Sequence, residues 1–279
     1  LSQLGVLDYP LYYSVKFESG SQPQYFGAHG EYTSAMTSEF TKLQGFWGID
    51  GSKVDLVGMH SAFLKDTARL VPFLEWYWGI DEATAQQLAP DIETIVDAMP
   101  QGVDNPLFTF NSFAYQGGDT DPTSPLYGIP SKVMIGDGIA EGLKAIGLDD
   151  TTAMEAVEGH EYGHQVQFAN DLFDESTGPE ASRRTELEAD ALGTYFMVHV
   201  HGEHLRKGDV LTDEKTFYEV GDCNYDSDGH HGTPNQRYRS ASWAADLAET
   251  TTPKGQALPS RTFDSDFEQE LPTIVAPDA

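Results

Sequence analysis

His160, Glu161 and His164 form an H-E-x-x-H pattern inside the stretch Val157–Phe168. The surrounding residues read as a helix, with capping chemistry in Asp149, Asp150, Thr151 and Thr152 and apolar residues at Val157, Val166 and Phe168. Helical positions four apart share a face and lie about 6 Å apart along the axis. His160 and His164 can therefore aim one imidazole nitrogen each at a single ion, at about 2.0–2.1 Å if that ion is zinc. Glu161 points about 100° further round, beside such an ion. A carboxylate there can take a proton from a water that the ion polarises. The bland alternative is a helix whose two histidines make ordinary core hydrogen bonds.

Three ligands and one open position distinguish a catalytic zinc site from a closed structural one. Residues 180–206 read as a second helix, joined to the first by the acidic link 170–179. Two helices so connected can pack antiparallel. Glu186, 26 residues after His160, would then fold back over the first helix, and Asp190 follows one turn on. A metal-bound imidazole needs an acceptor on its other nitrogen. Glu186 as third ligand and Asp190 as that acceptor would use both positions. Otherwise they line an exposed helical face, the reading adopted for Glu180 and Glu188.

The elements that must position these groups are read from periodicity. Residues 11–17, Leu-Tyr-Tyr-Ser-Val-Lys-Phe, read as a strand. Helices are expected over 31–48, over 56–78 with a kink at Pro72, and over 82–98 behind an Asp81 cap. Residues 107–115 and 132–136 read as strands, 139–146 as a short helix and 235–249 as a later one. A small sheet thus precedes the histidine helix. The segments are 1–100, mostly helical; 101–250, the core; and 251–279, a loosely held tail. His29 and His60 look isolated. His199, His201 and His204 fall near a helix C-terminus, where cationic side chains suit the dipole.

The chain carries 45 acidic and 16 basic residues, a formal charge of −29. Phosphate repels such a surface, which argues against nucleic acid and anionic membranes as partners. No run is long and apolar enough to span a bilayer. Carboxylate excess fits a secreted, periplasmic or cell-surface protein. The single Cys223 permits no intramolecular disulfide and no cysteine-based zinc cluster. The chain opens at Leu1 without an initiator Met or an apolar leader, as either leader removal or trimming would leave it. Calcium is a second candidate cation, because the spacing Asn224, Asp226, Asp228, Gly229 resembles half of a calcium loop. The closing Glu is missing, however, and an Asx-rich turn presenting a histidine describes that segment better.

With these pieces in order, the chain resembles the gluzincin metallopeptidases, the thermolysin-like group, and in wording the smaller bacterial neutral zinc metallopeptidases. Asn111-Ser112-Phe113-Ala114 is similar to their substrate-binding segment, and Val133–Gly138 to the strand and Gly-Asp-Gly turn before the active-site helix. Glu186 to Asp190 matches their E-x-x-x-D helix. Asp228-Gly229-His230-His231-Gly232 resembles the segment that delivers a transition-state histidine, and His231–Arg237 looks like the smaller enzymes. The resemblance spans about 107–248; the first hundred residues match nothing comparable. It implies an α+β fold, mostly helical, with a small mixed sheet whose edge strand borders the cleft and a zincin-like helix pair. It also implies a zinc-dependent peptidase, in the main an endopeptidase, acting on peptide or protein substrates. Glu161 would be the general base and His231 the oxyanion donor, with His230 as the other candidate. Asn111, Ser112, Ala114 and Arg237 would bind substrate. One departure stands out: residues 165–185 lack the tyrosine that helps stabilise the oxyanion in thermolysin-like enzymes. The competing class is a non-catalytic zinc- or calcium-binding extracellular scaffold or adhesion protein.

Overall fold

The computed structural model describes residues 5–148, 151–173, 178–218, 231–251 and 255–277, with the backbone alone over 215–218. The fold is mostly helical, 63%, with a small three-stranded mixed sheet. It divides into two compact units that interleave along the chain: Leu1–Thr33 with Asp55–Gly142, and Ser34–Val54 with Leu143–Ala279. Neither unit coincides with the linear segments 1–100, 101–250 and 251–279.

The first unit holds the sheet. Helix α1 (Tyr9–Phe17) occupies the stretch expected as a strand. Its aromatics recur every fourth residue, and Pro10 sits in the first turn, where its missing N–H costs nothing. Tyr13 stacks on Phe63 with ring centroids 3.9 Å apart, and Tyr9 meets Phe73 at 4.9 Å, so burial overrides strand propensity. The expected long helix 56–78 is also corrected. Strand β1 (Val54–Met59) comes first, and helix α3 (Thr67–Trp78) begins after Asp66, whose carboxylate accepts from the Ala68 N–H at 3.0 Å. An almost wholly buried run such as Val54–Met59 has the same hydrophobic pattern in a strand or a helix, which is why periodicity misread it. Helix α4 (Glu82–Asp97) starts behind Asp81 as expected. Strand β2 covers only Ser112–Tyr115 of the expected 107–115, with a 3₁₀ turn at Pro106–Phe108 before it. It pairs antiparallel with β3 (Ser131–Gly136), Ser112 opposite Ile135 and Ala114 opposite Val133, in the sheet order β1-β3-β2. Buried Lys132 of β3 donates to the carbonyls of Ser14, Val15 and Glu18, closing the end of α1. His60 is not isolated: its Nδ1 lies 2.7 Å from Asp137 Oδ2 and its ring stacks on Tyr25.

The second unit holds the histidine helix. Helix α2 (Thr33–Phe46) packs here through Phe40 against Tyr162 and Phe46 against Phe196. Helix α5 (Asp137–Ala145), whose residues up to Gly142 belong to the first unit, precedes in sequence the two central helices, α6 (Thr151–Asn170) and α7 (Pro179–Val198). The proposed capping residues Asp149 and Asp150 lie outside the described residues. α6 and α7 approach most closely where Gly193 meets Gly159, and Gly163 of α6 lies against Ala189 of α7. A Cβ on Gly193 would stand 2.9 Å from Gly159 C and His160 N, and one on Gly163 would stand 3.0 Å from Ala189 O. α7 ends at Val198, short of the expected Arg206, and an unforeseen helix α8 (Lys207–Tyr218) follows. Buried His199, at the C-cap, is pushed down by burial, so it is no dipole-matched cation. Helix α9 (Pro234–Thr250) opens with a reciprocal capping box between Thr233 and Gln236. The tail is not loosely held: helix α10 (Ser260–Ile274) buries Phe263, Phe267 and Ile274, and Phe263 meets Trp47, Tyr195 and Trp243. Among the described residues no helix is long and apolar enough to cross a membrane.

Candidate metal centre

The α6–α7 crossing brings His160, His164 and Glu186 together. One ligating atom from each lies within 4.8 Å of the others, and among the described residues no other group of three does this. His160 Nε2 is 3.3 Å from Glu186 Oε2, and His164 Nε2 is 3.5 Å from Glu186 Oε1. Those separations are long for N–H···O hydrogen bonds. Two ligands of one tetrahedral ion with bonds of about 2.0–2.1 Å would sit about 3.3–3.4 Å apart. The two imidazole planes are turned 89° to one another, so both Nε2 atoms face Glu186 without their rings colliding.

Each imidazole is held from behind. His160 Nδ1 lies 2.8 Å from Asp190 Oδ1. Asp190 is itself gripped by Arg237, Nε donating to Oδ2 at 2.8 Å and Nη2 to Oδ1 at 2.6 Å. His164 Nδ1 lies 2.8 Å from Gln167 Oε1. The Gln167 amide NH₂ is already committed to Thr185 O and Glu188 Oε2, both at 2.9 Å, so its oxygen is left to accept. Both Nδ1 atoms thus carry a hydrogen, so an ion would be met by the two Nε2 atoms once it displaces any proton there.

Charge follows the same layout. Burial disfavours the His160 imidazolium, but Asp190 and Glu186 outweigh it and raise the group to about 10. His164 is raised too: burial opposes the charged form, and Glu186 and Glu161 favour it over the repulsion of His160. Burial would raise Glu186, but His164 and His160 together outweigh it and hold the carboxyl well below the usual carboxylate range. The cluster is built to enclose positive charge. Without a metal, protons supply it.

Of the other residues singled out in the sequence, Glu161 is buried beside the pair, 5% exposed. His231 is half exposed, with Nε2 3.7 Å from Glu186 Oε2. It is placed by Gly232, whose φ of +98° suits glycine, and by the Thr233 cap that follows. His230, with Asn224, Asp226 and Asp228, lies outside the described residues. Arg237 was expected on substrate; instead its buried guanidinium holds Asp190. Asn111, Ser112 and Ala114 belong to the first unit, where Asn111 O accepts from the Gly136 N–H at 3.1 Å and Ala114 is buried in β2. Glu188, expected to be exposed, is 0% exposed. Burial pushes its carboxyl up to about 7, against the pull of Arg184 and Gln167. Gln167 went unnoticed in the sequence, although it sits three residues after His164 and so shares its helical face. No protein-family model, curated protein or solved structure matches this chain.

Proposed function

We propose that the protein is a zinc-dependent metallopeptidase of the gluzincin type, with His160, His164 and Glu186 as ligands and Glu161 as general base. One observation carries the reading: two imidazole Nε2 atoms and a carboxylate stand at the spacing of three ligands on one ion, and both Nδ1 atoms are committed elsewhere. Two imidazoles with one carboxylate suit zinc, whereas calcium takes an all-oxygen shell. Bound there, zinc would supply Lewis acidity that makes water nucleophilic near neutral pH and polarises a carbonyl.

The chain's own residues do the rest. Glu161 takes the proton from the attacking water and passes it to the leaving amine. His231 donates to the oxygen that becomes negative as the carbonyl turns tetrahedral. Asp190 with Arg237, and Gln167 with Glu188, fix the ligand rings.

The test is hydrolysis of a casein-type substrate, abolished by a chelator and restored by zinc. Glu161→Gln should keep the metal and the fold and lose nearly all turnover. Wild-type turnover in that variant would remove the base. Zinc uptake without any hydrolysis by the native chain would favour the non-catalytic scaffold.

A further inference from the structure

Arg184 of α7 touches no proposed ligand, yet it joins the C-terminal helix to the residues behind His164. Its Nη1 donates to the Leu172 carbonyl at 2.6 Å and to Glu188 Oε2 at 2.9 Å. Its Nη2 donates to Asp264 Oδ1 at 2.7 Å and its Nε to Glu268 Oε1 at 2.5 Å, both carboxylates belonging to α10. The guanidinium also lies 6.0 Å from the centre of the buried Phe267 ring. All three nitrogens of one flat, largely enclosed fork are thus committed. A lysine has a single nitrogen and could not hold these places together.

Glu188 Oε2, which Arg184 fixes, accepts from the Gln167 amide at 2.9 Å, and the oxygen of that amide meets His164 Nδ1 at 2.8 Å. Thr185 O takes another hydrogen of the amide, also at 2.9 Å. These two acceptors decide which end of Gln167 faces the imidazole, because an amide turned over would offer its NH₂ there instead. The contacts therefore run without a gap from α10 through Arg184, Glu188 and Gln167 to His164. We propose that Arg184 is a positioning residue through which helix α10 sets the orientation of the His164 ring. This rests on the reading of His164 as a zinc ligand oriented by Gln167. Cut at Arg184 or at α10, the link leaves Glu188 less well placed, and Gln167 keeps only Thr185 O to hold its amide.

The test is zinc affinity by competition with a chromogenic chelator at one neutral pH, in two variants. Arg184→Lys keeps the charge and loses the fork. Asp264→Asn with Glu268→Gln leaves Arg184, Glu188 and Gln167 in place, and both positions are partly open to solvent, so the amides disturb no core. Each variant should bind zinc about 10-fold more weakly than wild type, the lower end of what loosening a ligand's partner costs, since Thr185 O still holds the amide. The same substitutions made in Gln167→Leu, where the link is already cut, should cost nothing more. In nitrogen-labelled, zinc-loaded protein, the α10 pair should alter the Nδ1–H signal of His164 and leave that of His160 unchanged. An equal loss of affinity in both backgrounds, as a merely structural role would give, overturns the proposal. No loss in the native background overturns it too, as does an equal change in both imidazole signals. Should Arg184→Lys fail to fold, the α10 pair carries the test alone. A wild type that takes up no zinc overturns the site reading and this inference together, whereas zinc uptake with additive losses overturns this inference alone.

Discussion

Replacing Gln167 by leucine removes the acceptor behind His164 while leaving all three proposed ligands in place. The side chain makes three contacts, from His164 Nδ1 at 2.8 Å and to Thr185 O and Glu188 Oε2 at 2.9 Å each. Without it the largely enclosed His164 Nδ1–H has no protein acceptor, and an unsatisfied donor away from water costs about 1–3 kcal/mol. The ring can then turn, or move its hydrogen to Nε2 and block the ion. Loss of a ligand's outer partner weakens metal affinity by about 10–100-fold, or about 1.4–2.8 kcal/mol. Gln167→Glu is the informative companion. It restores an acceptor for His164 but sets a second carboxyl against Glu188, which already sits at about 7. Glu188 should take up a proton and donate it to the new carboxylate, so zinc affinity relative to wild type at the same pH should recover at pH 6 and fall again by pH 8.5. Chelator competition at those two values reads both variants. Wild-type affinity in Gln167→Leu would refute the reasoning, because the Nδ1 contact would then not set the ring.

Three further outcomes are expected. His231→Ala should lower kcat by about 10²–10³-fold with zinc content and KM little changed, the usual cost of one oxyanion donor; unchanged turnover would remove the role. Zinc affinity should fall as pH drops from 9 to 6, by about tenfold per unit for each proton displaced, because His160 holds its proton up to about 10 in the metal-free chain; a flat profile would contradict the charge layout. Glu39 of α2 is buried, with neither carboxylate oxygen partnered among the described residues. Burial first, and then Glu158, Glu155 and Glu203, raise it well above the ordinary range. The folded chain therefore keeps a proton that the unfolded chain releases, and stability falls as pH rises above the unfolded value of about 4.3. Glu39→Gln should raise Tm at pH 8 far more than at pH 4.5, and an equal shift at both would argue against a buried neutral acid.

What could be read from the sequence depended on whether spacing along one helix was enough. His160 and His164 needed only the period of α6, and Glu186 with Asp190 needed only a second helix folding back. The structure brings His160, His164 and Glu186 to one point and places Asp190 behind His160. Gln167 was equally accessible at i+3 from His164, but an amide has no ligand chemistry of its own to single it out. Arg237 was misassigned because its partner comes from the angle at which α7 meets α9, and Glu188 because an i−4 pair with Arg184 also suits an exposed face, while its burial against Gln167 depends on how α7 meets α6. The strand expected at 11–17 failed for a related reason: Tyr and Val favour strands in general, while Tyr9, Tyr13 and Phe17 serve one helical face. In the acidic tail, composition hid the spacing of Phe263 and Phe267, which buries α10. The closely packed crossing at Gly159, Gly163 and Gly193 was visible as three glycines, but glycine inside a helix reads first as a weakness.

The central claim is that one zinc ion sits between α6 and α7. Crystals of the protein purified in the presence of zinc, measured on either side of the zinc absorption edge, test it directly. The account predicts a single anomalous peak between His160 Nε2, His164 Nε2 and the Glu186 carboxylate, absent after Glu186→Ala. A peak lying on other residues, or full zinc loading of Glu186→Ala, would contradict it.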